Sequence, residues 1–91
     1  MSDVIDNTAR HRFELDVGVG EPAIIAYERD GDRIALVHTI VPEAASGQGA
    51  GSRLVRGALA MIRSQGLRVV PRCSFVAAYI ERHPEERDLL A

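Results

Sequence analysis

The sequence predicts an α/β fold, an α+β mixed sheet in the order β-β-β-α-β-α. Three observations predict it. Residues 11–41 alternate apolar and polar side chains with a period of two, broken by turn residues. Residues 53–65 switch to a helical period, with Leu54, Val55, Ala58, Leu59 and Ile62 on one face and Arg53, Arg56 and Arg63 off it. A short apolar run over 67–70 and a second helical stretch over 73–82 then follow.

In chain order, residues 1–10 are polar and without periodicity, which predicts a flexible N-terminal lead-in. Residues 11–91 are read as a single domain. Phe13, Leu15 and Val17 point one way while Arg12, Glu14 and Asp16 point the other, a half-buried strand. Gly18, Gly20, Glu21 and Pro22 make a turn; residues 23–29 form a second strand, and Asp30-Gly31-Asp32 a hairpin turn. The third strand, 33–41, is apolar enough to be central, and Pro42 ends its pairing because proline has no N–H to give the ladder. Gly66 sits where a helix needs a left-handed residue to stop. The strand at 67–70 closes at Pro71, and the helix at 73–82 ends at His83-Pro84. Residues 85–91 are expected as a last short strand or an extended tail. Phe13, Tyr27 and Phe75 are expected in the core or on a sheet face.

Composition narrows the class. A chain of 91 residues buries only about 60–65% of its unfolded surface, so stability is modest or helped by a dimer, and a monomer or homodimer is expected. No apolar run approaches the roughly 18 residues of a membrane span, and no basic-then-apolar leader is visible. The one cysteine allows no intrachain disulfide, which with the missing leader points to a cytoplasmic protein without membrane attachment. The net charge of −2 hides an asymmetry: in residues 42–73 Arg53, Arg56, Arg63, Arg68 and Arg72 face only Glu43. That excess is too local, and too poor in aromatics, for nucleic acid. No metal-ligand pattern is seen.

The positive segment holds the most informative stretch, Val41-Pro42-Glu43-Ala44-Ala45-Ser46-Gly47-Gln48-Gly49-Ala50-Gly51-Ser52. A glycine-rich turn opening a helix leaves backbone N–H groups unpaired at the positive end of the helix dipole, a site suited to phosphate. Its glycines let an anion approach the backbone closely. The Walker pattern needs a lysine, and the chain has none. The dinucleotide fingerprint fails in both registers, ending on Ser52 from Gly47 and on Leu54 from Gly49.

What remains, Ser46-x-x-Gly49-x-Gly51, resembles the acetyl-CoA loop of the GNAT acetyltransferase superfamily. With His38-Thr39-x-Val41-Pro42, Gly47-Gln48-Gly49, Val70-Pro71-x-Cys73 and Ala78-Tyr79-Ile80-x-x-His83-Pro84, the chain is similar over residues 11–90 to the small GNAT-like acetyltransferases of about ninety residues. The resemblance implies a minimal GNAT core lacking the N-terminal helices that wall the acceptor side in larger relatives. It implies acetyl-CoA as co-substrate, an unidentified amine as acceptor, and a splay between the third strand and the strand after the helix. Pantetheine would pair there with the backbone of Thr39, Ile40 and Val41. The pyrophosphate would rest on Ser46, Gly47, Gln48, Gly49, Ala50, Gly51, Ser52 and Arg53. Two positions depart from the pattern: Ser46 replaces the usual Arg or Gln, and Ile40 replaces the usual Glu of the small family.

Three side chains are candidates for catalysis. His38 shares a strand face with residue 40, and histidine is the residue type suited to take a proton at neutral pH. The alternatives are a histidine hydrogen-bonded in the sheet, or Glu43 as the base. Cys73 stands at a predicted helix start, where the dipole favours thiolate, so it is either a transient acetyl acceptor, a regulator of access, or a small buried filler. Tyr79 matches the small family's motif, but aligning Glu81-Arg82 with the wider superfamily puts the thiolate-protonating tyrosine at Ile80 instead. His83 is read as a helix-end cap. The function expected is an acetyl-CoA-dependent N-acetyltransferase; the alternative is a non-catalytic CoA-binding or interaction module.

Overall fold

The computed structural model describes residues 3–91. Its five strands are β1 (Val4–Asn7), β2 (Arg12–Leu15), β3 (Ala23–Asp30), β4 (Arg33–Ile40) and β5 (Arg68–Pro71). They lie side by side in chain order. The joints are antiparallel up to β3–β4, and β4–β5 is parallel, because α1 (Ala50–Ser64) carries the chain back over the sheet between them. α2 (Ser74–Arg82) and a 3₁₀ turn (Pro84–Leu89) complete the chain.

The sheet is covered on one face. Phe13, Leu15, Ala23, Ile25 and Tyr27 are buried toward α1, whose Leu54, Val55, Ala58, Leu59 and Ile62 are all 0% exposed. Burying each of those larger aliphatic side chains is worth about 1.5–3 kcal/mol, so this seam dominates the packing. The tail of α1 is closed by Gly66 at φ 71°, with Leu67 N–H on the Ile62 carbonyl and Gly66 N–H on that of Arg63, a Schellman ending. Among the described residues no helix lies over the opposite sheet face, and Ile5 and Ile40 stand there 57% exposed.

Residues 4–7 correct the expected loose lead-in: they form β1, giving four strands before α1 where three were expected. The short segment lacks a readable alternation because only Val4 is buried. Pairing with β2 (Val4 opposite Leu15, Asp6 opposite Phe13) holds it, together with a hydrogen bond from the Tyr27 hydroxyl to Asp6 Oδ1 at 2.6 Å. Met1 and Ser2, the start of that lead-in, lie outside the described residues. The tail also differs from a strand. Residues 84–89 coil as 3₁₀ because Arg63 grips Asp88 at 2.6 and 3.0 Å and Glu86 at 2.9 Å; Arg68 of β5 donates to the Asp88 carbonyl, and Leu90 and Ala91 reach Val69.

One irregularity positions the site. Ala26 pairs with His38 but Tyr27 pairs with Leu36, so Val37 is an extra residue on β4. In an unbroken strand His38 and Ile40 would share the buried face of Ile34 and Leu36. The bulge reverses the phase, turning His38 and Ile40 to the open face and Thr39 to the helix side.

Candidate functional site

β4 and β5 pair only from Arg33↔Arg68 to Leu36↔Pro71. Beyond that the chain leaves β5 through Cys73, whose N–H takes the Leu36 carbonyl at 2.8 Å. β4 runs on to Ile40 beside β3 alone. Its other edge therefore has no strand beside it over residues 37–40, a gap between diverging strands.

The gap leads into the glycine turn. Pro42 stops the strand, and Glu43–Ala45 form one 3₁₀ turn with Ala45 fully buried as its anchor. Gly47 (φ 81°) and Gly49 (φ 72°, the N-cap) then take left-handed conformations that favour glycine. α1 begins at Ala50, three residues before the expected start. The first amide bonded back into the turn is that of Arg53, to the Gly49 carbonyl at 3.1 Å. Among the described residues, the N–H groups of residues 47–52 have no backbone acceptor, and Gly49 gives α1 no side-chain cap. Unpaired amides at a helix N-terminus are the kind of backbone that favours an anion.

Gly51 has another reason to be glycine. A Cβ there would lie 2.7 Å from Cζ of Phe75, so the ring at the start of α2 rests directly on the helix backbone. This corrects the expectation for Phe75, which is 38% exposed and stands between the two helix starts instead of in the core. At Gly47 and Gly49 a Cβ would meet nothing within 4 Å, so there the backbone conformation alone demands glycine.

Cys73 caps α2 from the gap side, half-buried, with Sγ 3.2 Å from the Thr39 hydroxyl. Burial pushes the thiol up, but the Thr39 hydroxyl and the amides of Val76, Phe75 and Thr39 outweigh it and leave the thiol below its ordinary value. The structure thus brings Thr39 and Cys73 together across the gap, a contact with no signature in the sequence because it joins residues far apart in the chain. His38 and Ile40 do share a face, but it is the face opposite the Thr39–Cys73 contact. His38 is exposed, and no hydrogen bond or ion pair holds its side chain among the described residues. The sheet-bonded histidine of the sequence reading is therefore not what is seen. Glu43, Ser46, Gln48, Ser52 and Arg53 are all exposed around the turn.

Tyr79 lies elsewhere. Its ring is buried and stacked on His83 at 3.9 Å and 14°, and Nδ1 of His83 donates to the Tyr79 carbonyl at 2.7 Å. That bond makes His83 the helix-end cap expected. Burial first, and then the charge of Glu86, push the Tyr79 hydroxyl up while Arg56 opposes them, so its electrostatic surroundings are α1 and the C-terminal turn. Ile80, the alternative tyrosine position, is core.

Comparison with known proteins decides the family. The profile described as GCN5-related N-acetyl-transferase matches residues 12–89. The chain belongs to the GCN5-related N-acetyltransferase family. It is 32% identical over 77 residues to Protein NATD1 of Mus musculus, covering 82% of this chain and 70% of that protein. Protein NATD1 of Homo sapiens is as similar, with 68% of its length covered. An NMR structure of a GCN5-like protein from Staphylococcus aureus superposes with a TM-score of 0.72 at 26% identity, over 100% of this chain and 91% of that one. The mixed sheet with two helices is thus the fold of this family. Among the described residues, no helix is long and apolar enough to cross a membrane, and no group of three or more His, Cys, Asp or Glu could hold a metal.

Proposed function

We propose that the protein binds acetyl-CoA and transfers the acetyl group to an amine of a small molecule or an exposed peptide. The observation that carries this reading is the continuity of two backbone features: the edge of β4 with no strand beside it runs directly into the unpaired amides of residues 47–52. The first suits the amides of pantetheine, which would add to β4 near residues 39–41 as a strand does. The second suits a pyrophosphate. Acetyl-CoA supplies an activated thioester; the protein must bring the amine to it, remove a proton and stabilise the displaced thiolate.

His38 is assigned the base. It is free of protein partners and stands on the open sheet face, from which an acceptor could approach. Cys73, beside the gap and with its thiolate favoured, is assigned a transient acetyl acceptor or a control on access. For Tyr79 the buried stack on His83 supports an anchoring role at the end of α2 over proton delivery. A second reading, a CoA-binding module without turnover, is favoured by one observation: an exposed Ile40 stands where the resemblance implies a carboxylate.

A thiol-release screen over amines tests both readings. His38→Gln should lower the rate with a productive amine by about 10²–10⁴-fold while acetyl-CoA affinity stays within a few-fold. A rate within threefold of wild type would remove His38 from catalysis. Release no faster than hydrolysis with every amine would leave the non-catalytic module.

A further inference from the structure

Two arginines of α1 have no carboxylate partner. The ion pairs of the described residues use Arg12, Arg63 and Arg72, whereas Arg53 and Arg56 are exposed and unpaired. Both line an open cavity of about 360 Å³ between α1 and the β1–β2 edge. Val4 and Leu15, cross-strand partners and both buried, supply an apolar wall, and Asp3 also lines the cavity. The strand that builds this wall is β1, the one the sequence did not announce.

The cavity is separate from the unpaired amides of the glycine turn but near them. With a rise of about 1.5 Å per residue, Arg53 and Arg56 lie about 4.5 and 9 Å along the axis from Ala50, and helical side chains lean back toward the N-terminus. Two guanidinium groups favour a dianionic phosphate, which they can grip through paired N–H donors. The apolar wall favours a ligand whose phosphate is carried on a flat or apolar body.

We propose that the cavity between α1 and the β1–β2 edge is a second phosphate site, taking a nucleoside phosphate monoester through Arg53 and Arg56. The phosphate has two sources. One is the 3′-phosphate of CoA seated at the glycine turn, which rests on the function proposed above; the other is a separate nucleotide. The Asp3 carboxylate works against either anion, so its removal should strengthen binding.

Calorimetry on the full chain tests this with CoA, dephospho-CoA and adenosine 3′,5′-bisphosphate, against Arg53→Gln/Arg56→Gln and Asp3→Asn. Neither arginine makes an ion pair, so the double variant should unfold within error of wild type, which a urea titration checks. The bisphosphate is expected to lose about tenfold or more in affinity in the arginine variant and to gain about twofold in Asp3→Asn. If the arginine variant costs CoA about tenfold more affinity than it costs dephospho-CoA, the source is the 3′-phosphate of CoA. If the bisphosphate binds CoA-saturated protein and still needs the arginines, the source is a separate nucleotide, and the site stands. A wild-type chain that binds the bisphosphate but no CoA would sink the acetyl-CoA reading and leave the cavity site intact. Bisphosphate and CoA binding both indifferent to the arginines, or bisphosphate binding absent from wild type, overturns the proposal.

Discussion

At Gly49 and Gly51, two residues apart, glycine is required for different reasons. Gly49 holds φ 72°, so Gly49→Ala should cost about 1–2 kcal/mol from backbone strain alone. Gly51 is helical, and its variant suffers from the Phe75 ring 2.7 Å from the new methyl. Urea unfolding of Gly51→Ala, Phe75→Ala and the double variant should show a coupling above about 0.5 kcal/mol, because removing the ring relieves the clash. Additive effects would mean that the ring gives way freely. Tyr27 makes a pH-dependent tie. Burial first, then its bond to Asp6, push its hydroxyl up to about 12 from an ordinary 10. A raised folded value means the contribution is complete below about pH 10 and is lost as pH rises toward 12. Tyr27→Phe should therefore cost about 1–2 kcal/mol near neutrality, with the gap from wild type closing over that alkaline range. A gap constant with pH would dissociate Tyr27 from the β1–β3 tie. The catalytic candidates were legible as residue types but not as a constellation. The backbone folds Thr39 against Cys73 and turns His38 the other way, and a one-dimensional reading carries no such angle.

At the scale of elements, the sequence was most informative where burial is one-sided and periodic. The apolar face of α1, the alternation in β2 and the Gly66 stop all appear as read, because each follows from a local rule. Three features escaped. β1 is held by pairing and by Tyr27, both supplied by distant parts of the chain. The Val37 bulge inserts a single residue into an otherwise apolar strand, and a period of two cannot reveal it. The C-terminal 3₁₀ turn exists because Arg63 grips Asp88 and Glu86. That grip gives a prediction of opposite pH sense to Tyr27. The Arg63 hydrogen bond holds the Asp88 carboxyl below its ordinary 3.8. Its contribution is present above that value and lost as pH falls through the lower, folded one. In Asp88→Asn the amide of Ala91, bonded to the Val69 carbonyl at 2.9 Å, should exchange faster at neutral pH and lose its acid dependence. Unchanged exchange would mean that the tail docks without the arginine.

For the whole molecule, the family and the fold were readable from an ordered series of short motifs that no single glycine turn could supply. The acceptor was not, because no motif in the chain carries the chemistry of a particular amine. Charge asymmetry is the whole-molecule property with a consequence for binding. Affinity for CoA should fall as salt is added, since a multiply charged ligand meets exposed arginines within a Debye length of about 10 Å at 0.1 M. Affinity flat between low and high salt would assign Arg53 and Arg56 to ordinary surface. The central claim is that acetyl-CoA is read by backbone, along β4 and on the glycine turn. Amide NMR during an acetyl-CoA titration tests it most directly. The account predicts the largest shifts at the N–H groups of residues 39–41 and 47–52, with the β1–β2 turn at residues 8–11 unmoved. Saturable binding that leaves residues 47–52 unshifted would contradict it.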